Sequence, residues 1–231
     1  LNGADIEFID NTATDVAGAI FVADYGYVGS SLSLLQSLIR GNSGYEVGAV
    51  NVDNSVASFE NVIMSYNNAI SDSSADALLA EGSNIDMDFV TVSGNGYQST
   101  LGPSDTAVRI EGGFVNVMNS FFGYNNGQAF IAFSGASVGM NYTVIDPQYF
   151  LPWGAVLNAF NNGIGNFYLN GDPLFVGDGS WTYPVASSDP VLFDFHLQSG
   201  SELVDAGDPA VFDVDSTRAD VGAYGGPGGG W

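Results

Sequence analysis

Hydrophobic and polar residues alternate along several short stretches of the chain. In the segments 58–64 (SFENVIM) and 87–92 (MDFVTV), an apolar side chain occupies about every second position. A period of two places successive side chains on opposite faces of a β-strand. The helical spacing of about 3.6 residues is not sustained in the sequence, so the pattern predicts an all-β protein built from short strands.

The apolar segments recur in a repeating order. Several of them end in an asparagine, and these asparagines are spaced 31, 25, 28 and 30 residues apart. They are Asn11, Asn42, Asn67, Asn95 and Asn125. Unequal intervals of this size are typical of a solenoid, in which each coil contacts only its neighbours and turns differ in length.

Two further signals accompany the asparagines. One is an apolar tetrapeptide that begins with alanine, at Ala19–Val22, Ala49–Val52, Ala77–Ala80, Ala107–Ile110 and Ala129–Ala132. The other is an acidic or small polar turn that leads to an apolar residue, at Asp24, Asp53–Ser55, Glu81–Ser83, Glu111–Gly113 and Ser134–Ala136. The fixed order predicts stacked coils of two or three strands each. Matching positions predict one inward column of Val50, Leu78, Val108 and Ile131.

The recurring asparagine is predicted to serve the fold. Asparagine tolerates left-handed backbone angles where a strand bends, and its amide can bond along a stack of equivalents. Coils stack about 4.8 Å apart, which covers each inward apolar side chain with its counterparts above and below. The alternative is a ladder of amides that binds a ligand, but a structural turn ladder explains the spacing without a partner.

A more specific pattern occupies the C-terminal part of the chain. Four motifs follow one another, at Asp172–Phe175 (DPLF), Phe193–Leu197 (FDFHL), Ser201–Asp208 (SELVDAGD) and Arg218–Gly226 (RADVGAYGG). With the repeats, they resemble the right-handed parallel β-helix proteins of the pectate-lyase-like superfamily, especially long bacterial surface proteins. The resemblance implies export and further domains or an anchor beyond the glycine-rich end. It fixes no activity, because that superfamily contains lyases, hydrolases, epimerases, adhesins and structural stalks.

The organisation of the chain follows from where the repeat loosens. After Met140, prolines and an asparagine-rich stretch predict turns and a longer excursion. We expect β-helix coils over residues 1–140, the last coils and an irregular closing segment of the same domain over 141–226, and the start of a glycine-rich linker over 227–231. The chain opens on Leu1, with neither an initiator methionine nor a signal peptide, so we expect it to be part of a longer precursor.

The chain is strongly acidic. It has 26 Asp and Glu, three Lys and Arg, and a formal net charge of −23. Phosphate binding needs cationic side chains, so nucleic acid and acidic membrane headgroups are excluded as partners. Salt relieves self-repulsion, so we expect a marine or saline exterior. The resemblance implies that this location is bacterial, either extracellular or at the cell surface. The sequence has no run of about 18 apolar residues that would insert into a membrane.

The residues needed for polysaccharide cleavage are not found as a group in the sequence. A lyase needs basic residues beside the substrate carboxylate, and a hydrolase needs paired carboxylates that flank the scissile bond. The cations are Arg40, Arg109, Arg218 and, when protonated, His196. Arg109 is predicted to point outward beside Glu111, Arg40 is interpreted the same way, and His196 is interpreted as a structural histidine. The sequence therefore predicts that the chain is not an enzyme.

The leading functional interpretation is a non-catalytic extracellular stalk, passenger or adhesin segment of a larger bacterial surface protein. Its expected partners are an extracellular glycan or other surface proteins. The alternative is a polysaccharide-binding or polysaccharide-cleaving β-helix domain. Rings in the irregular excursion could stack on sugars, namely Tyr149, Trp153, Trp181 and Tyr183.

One metal site is predicted near the end of the chain. Asp213, Asp215 and Asp220, with carbonyl oxygens of the loop between them, are candidate Ca²⁺ ligands, because Ca²⁺ takes six to eight oxygens and an Asp-x-Asp loop supplies several. The alternative is a bidentate bridge from Arg218 to Asp205 or Asp220 that pins the closing loop.

Overall fold

The computed structural model describes residues 1–26, 29–71, 75–97, 106–133, 135–147, 155–177 and 193–231. Strands predominate in these ranges, which confirms the predicted all-β class. In chain order the elements are β1 (Asn2–Ala4), β2 (Glu7–Ile9), β3 (Ile20–Ala23), β4 (Ser31–Arg40), β5 (Ser43–Gly44), β6 (Val50–Asp53), β7 (Val56–Ser65), β8 (Asn68–Ala69), β9 (Ala75–Glu81), β10 (Asn84–Ser93), β11 (Thr106–Glu111), β12 (Gly113–Met118), β13 (Phe121–Gly123), β14 (Gln128–Ala132), β15 (Ala136–Asn141), β16 (Val144–Ile145), α1 (Ala155–Asn162) and β17 (Phe167–Tyr168).

Equivalent strands of successive coils lie side by side and pair in parallel. The larger sheet has the order β1-β4-β7-β10-β13-β16-β17, and β2, β12 and β15 join it beside this path. The second sheet has the order β14-β11-β9-β6-β3, and β5 pairs with β8. The result is a β-solenoid of about four turns, which confirms the predicted parallel architecture.

The inward side chains of the second sheet form one column. In register, they are Ile20, Val50, Leu78, Val108 and Phe130, all buried. The prediction of an inward column is confirmed for Val50, Leu78 and Val108. It is wrong for Ile131, which pairs with the outward Arg109 while Phe130 fills the inward position. A shift of one residue along a strand moves a side chain to the opposite face.

Each coil bends at the residue before its asparagine. The bending residues have left-handed backbone angles, with φ of 54° at Asp10, 67° at Gly41, 56° at Tyr66, 72° at Gly94 and 55° at Tyr124. The prediction that the asparagines themselves take these angles is wrong. The backbone N–H and the side-chain amide of Asn11, Asn42, Asn67 and Asn95 each bond to the next asparagine of the stack, and the left-handed residue lies immediately before the asparagine.

A short helix covers the end of the stack. α1 packs against β15 and β14, and its Val156 and Phe160 join the main hydrophobic core. The prediction of turns and an irregular excursion in this region is wrong for residues 155–162, which are helical. The spacing of Val156 and Phe160 by four residues places both side chains on one face of the helix.

The segment after the coils lies along the outside of the larger sheet. We call residues 193–231 the C-terminal strap. Near its start, the Phe193 carbonyl accepts a hydrogen bond from Arg40, and further on the Asp208 N–H donates to Asn119 of a later coil. The strap then returns, and its Gly228 carbonyl accepts from Gln36. It therefore traverses the stack twice, which cross-links coils that are far apart in the sequence.

The strap and the coils share a second hydrophobic core. Its buried members are Ile63, Phe121, Val144, Leu169, Phe175, Phe195, Leu203, Val221 and Ala223. The glycine-rich end at residues 227–231 belongs to the strap, because Trp231 Nε1 donates to the Ala223 carbonyl at 3.1 Å. The predicted division at residues 140 and 226 stays a prediction.

Candidate functional site

The asparagine ladder is a continuous chain of amide hydrogen bonds. The Nδ2 groups of Asn11, Asn42 and Asn95 lie 2.9 Å from the next Oδ1, and that of Asn67 lies 3.0 Å from it. Each of these four residues also donates its backbone N–H to the same Oδ1. Asn42, Asn67, Asn95 and Asn125 are buried. The predicted amide ladder is confirmed, and its buried amides are committed to each other rather than to a ligand.

Arg109 lies on the outer face of the second sheet, as predicted. Its Nε donates to Glu111 Oε1 at 2.6 Å, and its guanidinium lies 4.5 Å from the Phe133 ring centroid. Glu111 pairs in register with Glu81. Burial raises the pKa of Glu81, and repulsion from Glu111 raises it further. Arg109 is thus a neutralising group in an acidic column.

Arg40 was predicted to be exposed, and this prediction is wrong. The side chain is buried beneath the strap, where Nε donates to Ser65 Oγ at 3.3 Å and Nη2 donates to the Phe193 carbonyl at 3.1 Å. Its guanidinium lies 5.9 Å from the Phe195 ring centroid. Burial lowers the pKa of Arg40. This environment could not be predicted from local sequence, because Phe193 and Phe195 come from the other end of the chain.

The three aspartates predicted to bind Ca²⁺ are placed differently from one another. Asp213 accepts backbone N–H groups from Asp220 and Gly226, and Asp220 accepts the Asp205 N–H at 2.8 Å. Asp215 instead accepts from the N–H and the hydroxyl of Thr217. In the described part of the chain, no group of three or more His, Asp or Glu residues is placed to hold a metal ion. Ca²⁺ binding at Asp213, Asp215 and Asp220 stays a prediction.

Arg218 pins the closing loop through carbonyl groups. Its Nε donates to the Gly207 carbonyl at 2.7 Å and its Nη2 to the Ala206 carbonyl at 3.2 Å. The predicted bridge from Arg218 to Asp205 or Asp220 is therefore wrong, because Arg218 bonds to backbone carbonyls instead. Arg218 still holds the closing loop, as predicted. Arg218 therefore does not pair with Asp220. Burial raises the pKa of Asp220 to about 6, and repulsion from Asp213 and Asp205 adds to this effect.

His196 is held in a fixed orientation at the surface of the strap. Its Nδ1 lies 2.6 Å from Asp194 Oδ1, and its ring stacks on Tyr224 with centroids 3.6 Å apart and planes 15° apart. Half of the His196 side chain is exposed. The ring of Trp231 follows Tyr224 at a centroid distance of 5.1 Å. The imidazole thus has a structural partner, as predicted, and also a face open to solvent.

A pocket of about 130 Å³ opens between the two passes of the strap. We call it the strap pocket; its lining includes Thr91, Phe175, Phe195, His196, Asp220 and Tyr224. Thr91, Phe175 and Phe195 are buried and form the floor, whereas His196 is exposed and Asp220 and Tyr224 are partly exposed at the rim. Burial raises the pKa of Tyr224, so its phenol keeps its proton at neutral pH.

Sequence reasoning considered His196 but missed Tyr224 and the pocket. Both residues lie in the motifs that carry the family resemblance, Phe193–Leu197 and Arg218–Gly226, so a signal was present. Only the double pass of the strap brings the two motifs together. The four rings that were predicted to meet a glycan lie outside the described residues; they are Tyr149, Trp153, Trp181 and Tyr183.

Comparison of the chain with protein-family models, with curated proteins and with solved structures gives no match. The class that the fold defines is that of the parallel β-solenoids. No helix in the described ranges has the length and the apolar character needed to cross a bilayer.

Proposed function

We propose that the chain is a non-catalytic, extracellular scaffold segment of a larger bacterial surface protein, acting as a stalk, passenger or adhesin module. We place it among the right-handed β-helix proteins of the pectate-lyase-like superfamily, on the resemblance of the repeats and of the closing motifs. The observation that carries the proposal is the cross-linking of the coils by the strap. Arg40, Asn61 and Asn119 of different coils all bond to it.

Two sets of contacts support a mechanical role. The asparagine ladder ties each coil to the next through buried amides. The strap ties together coils that are not neighbours, since Gln36 and Asn119 both bond to it. In a solenoid without such a strap, coils can unfold one after another, because stability is approximately a sum of repeat and nearest-neighbour terms. Long-range bonds make the coils unfold together, which suits a segment that carries load.

The charge supports an exterior location. A net charge of −23 on 231 residues repels copies of the chain from each other and keeps them soluble. The repulsion within one chain is screened over about 3 Å in 1 M salt, compared with about 10 Å at 0.1 M. A saline exterior therefore favours the folded state.

The test combines force and chemistry. Single-molecule pulling of the chain between inert handles should give one main unfolding event, and Arg40→Ala should divide it into smaller events at lower force. Incubation with pectate, alginate and neutral glycans should release neither unsaturated nor reducing ends. Product formation that is lost when a single carboxylate is changed would overturn the non-catalytic assignment, and stepwise unfolding of the unmodified chain would overturn the mechanical one.

A further inference from the structure

The strap pocket combines an apolar floor with a rim of groups that can both donate and accept hydrogen bonds. Phe175 and Phe195 supply the buried aromatic surface, with ring centroids 5.2 Å apart. Tyr224 carries a phenol and His196 an imidazole. This composition is typical of small-molecule sites, in which a few polar groups orient a ligand against apolar walls.

Two groups of the strap pocket have unused hydrogen-bonding capacity, His196 at the rim and Thr91 in the floor. In the neutral imidazole, donation from Nδ1 to Asp194 leaves Nε2 of His196 as an acceptor, and no partner for it is found among the described residues. Thr91 Oγ1 accepts the Ala223 N–H at 2.9 Å, and its own proton has no acceptor in the part of the chain that the structure describes. A ligand with hydroxyl groups satisfies both needs, because each hydroxyl donates and accepts.

The size of the pocket limits the ligand to one ring. Its volume of about 130 Å³ is below the roughly 300–1,000 Å³ of pockets that enclose a drug-sized ligand. This volume is too small to enclose an oligosaccharide, so at most one terminal unit can enter it.

The charges around the pocket select a neutral ligand. Asp220 at the rim and Asp194, which lies 2.6 Å from Nδ1 of the rim residue His196, repel sulfated and uronic units in a chain with a net charge of −23. The buried guanidinium of Arg40, 5.9 Å from the centroid of the Phe195 ring in the floor, opposes a second cation there. A neutral ring with an apolar face and several hydroxyls meets both conditions.

We propose that the strap pocket binds one neutral pyranose unit of an extracellular glycan, packed against the aromatic rings and hydrogen-bonded to His196, Thr91 and Asp220. A pyranose ring has a face of C–H groups that packs on aromatic side chains, and Tyr and His have the matching combination of an apolar body and a polar tip. This inference adds a ligand to the scaffold proposed above and does not depend on the mechanical role.

Saturation-transfer NMR with the whole chain tests the inference. The probes are the methyl glycosides of glucose, galactose and mannose, with methyl glucuronide and Nα-acetyl-lysine amide for comparison. We expect transfer to the ring protons of at least one neutral glycoside and none to the two charged probes. Binding should weaken about tenfold or more in Tyr224→Ala, because the variant loses both the phenol and the ring that holds the His196 imidazole in place.

Two further variants separate a lost site from a lost fold. His196→Ala removes an exposed side chain and should weaken binding while the melting temperature changes little. Tyr25→Ala removes another exposed ring, away from the pocket, and should leave binding unchanged. The inference is overturned if no neutral glycoside binds, if both Tyr224→Ala and His196→Ala bind as the unmodified chain does, or if the lysine derivative is the probe that binds. Any of these results leaves the scaffold proposal standing, because that proposal is measured by unfolding.

Discussion

Arg40 Nη2 donates a hydrogen bond to the carbonyl oxygen of Phe193, 3.1 Å away and 153 residues later in the chain. The contact joins the end of β4 to the start of the C-terminal strap. The guanidinium is buried and has no carboxylate partner among the described residues, so it depends on Ser65, the Phe193 carbonyl and the Phe195 ring. Because a guanidinium keeps its charge at any ordinary pH, these contacts cannot be given up without leaving a buried charge unsolvated.

The Arg40→Ala variant should be less stable by about 2–3 kcal/mol, since a hydrogen bond to a charged group contributes about 1.5–3 kcal/mol and its loss leaves the Phe193 carbonyl unpaired. Urea denaturation followed by circular dichroism measures this difference. Arg109→Ala is the matched control, because it removes a partly exposed ion pair and should cost less than about 1 kcal/mol. Equal losses in the two variants would show that Arg40 does not hold the strap.

The Asn67→Ala variant should lose about 3 kcal/mol of stability. Asn67 Oδ1 accepts both the backbone N–H and the Nδ2 of Asn42, and all of these groups are buried. An unpaired buried polar group costs about 1–3 kcal/mol, and the substitution leaves at least two. Asn158→Ala, at an exposed position of α1, is the control and should be neutral or slightly stabilising. A loss under about 1 kcal/mol for Asn67→Ala would mean that the ladder is dispensable.

The sequence predicted the features that repeat. Several coils contain the asparagine that ends an apolar segment, and several contribute to the inward column through Val50 and Leu78. A pattern found in several coils is distinguishable from chance, so it could be recognised in the sequence. The errors lie where a feature occurs once or where a shift of one residue matters, as it does for the bend before each asparagine. Ile131 was assigned the place of Phe130, and α1 is a single short helix in a region without repeats.

The candidate site could not be predicted because no periodicity brings its parts together. Asp220, Tyr224 and His196 lie in two closing motifs, and Thr91 lies in β10. These residues become neighbours because of the path that the strap takes over the coils, and no repeat in the sequence predicts that path. The position of Arg40 was missed for the same reason.

Stability should fall as the pH rises from about 4 to about 7. The pKa of Asp220 is raised by burial to about 6 in the folded chain, above the ordinary aspartate value, so the folded state binds this proton more tightly than the unfolded state. A group of this kind contributes stability fully below its unfolded pKa and loses the contribution as the pH passes its folded pKa. Burial raises the pKa of Asp213 and Asp88 as well, which adds to the same trend.

Melting temperatures measured across this pH range at fixed ionic strength test the assignment to Asp220. Asp220→Asn should melt at a temperature that depends less on pH, because the amide does not titrate. Asp86→Asn changes the net charge by the same amount at an exposed position of β10 and should keep the pH dependence of the unmodified chain. Identical pH profiles for Asp220→Asn and the unmodified chain would show that another group titrates.

Salt should stabilise the chain through screening, and this effect must be separated from binding of Ca²⁺. We expect NaCl to raise the melting temperature steadily, because the Debye length falls from about 10 Å at 0.1 M to about 3 Å at 1 M while the net charge is −23. At fixed ionic strength, Ca²⁺ and Mg²⁺ should then give equal melting temperatures if screening is the whole effect. The Ca²⁺ site predicted at Asp213, Asp215 and Asp220 requires a different outcome. It is established if Ca²⁺ raises the melting temperature above that in Mg²⁺ and if Asp213→Asn with Asp215→Asn removes this difference.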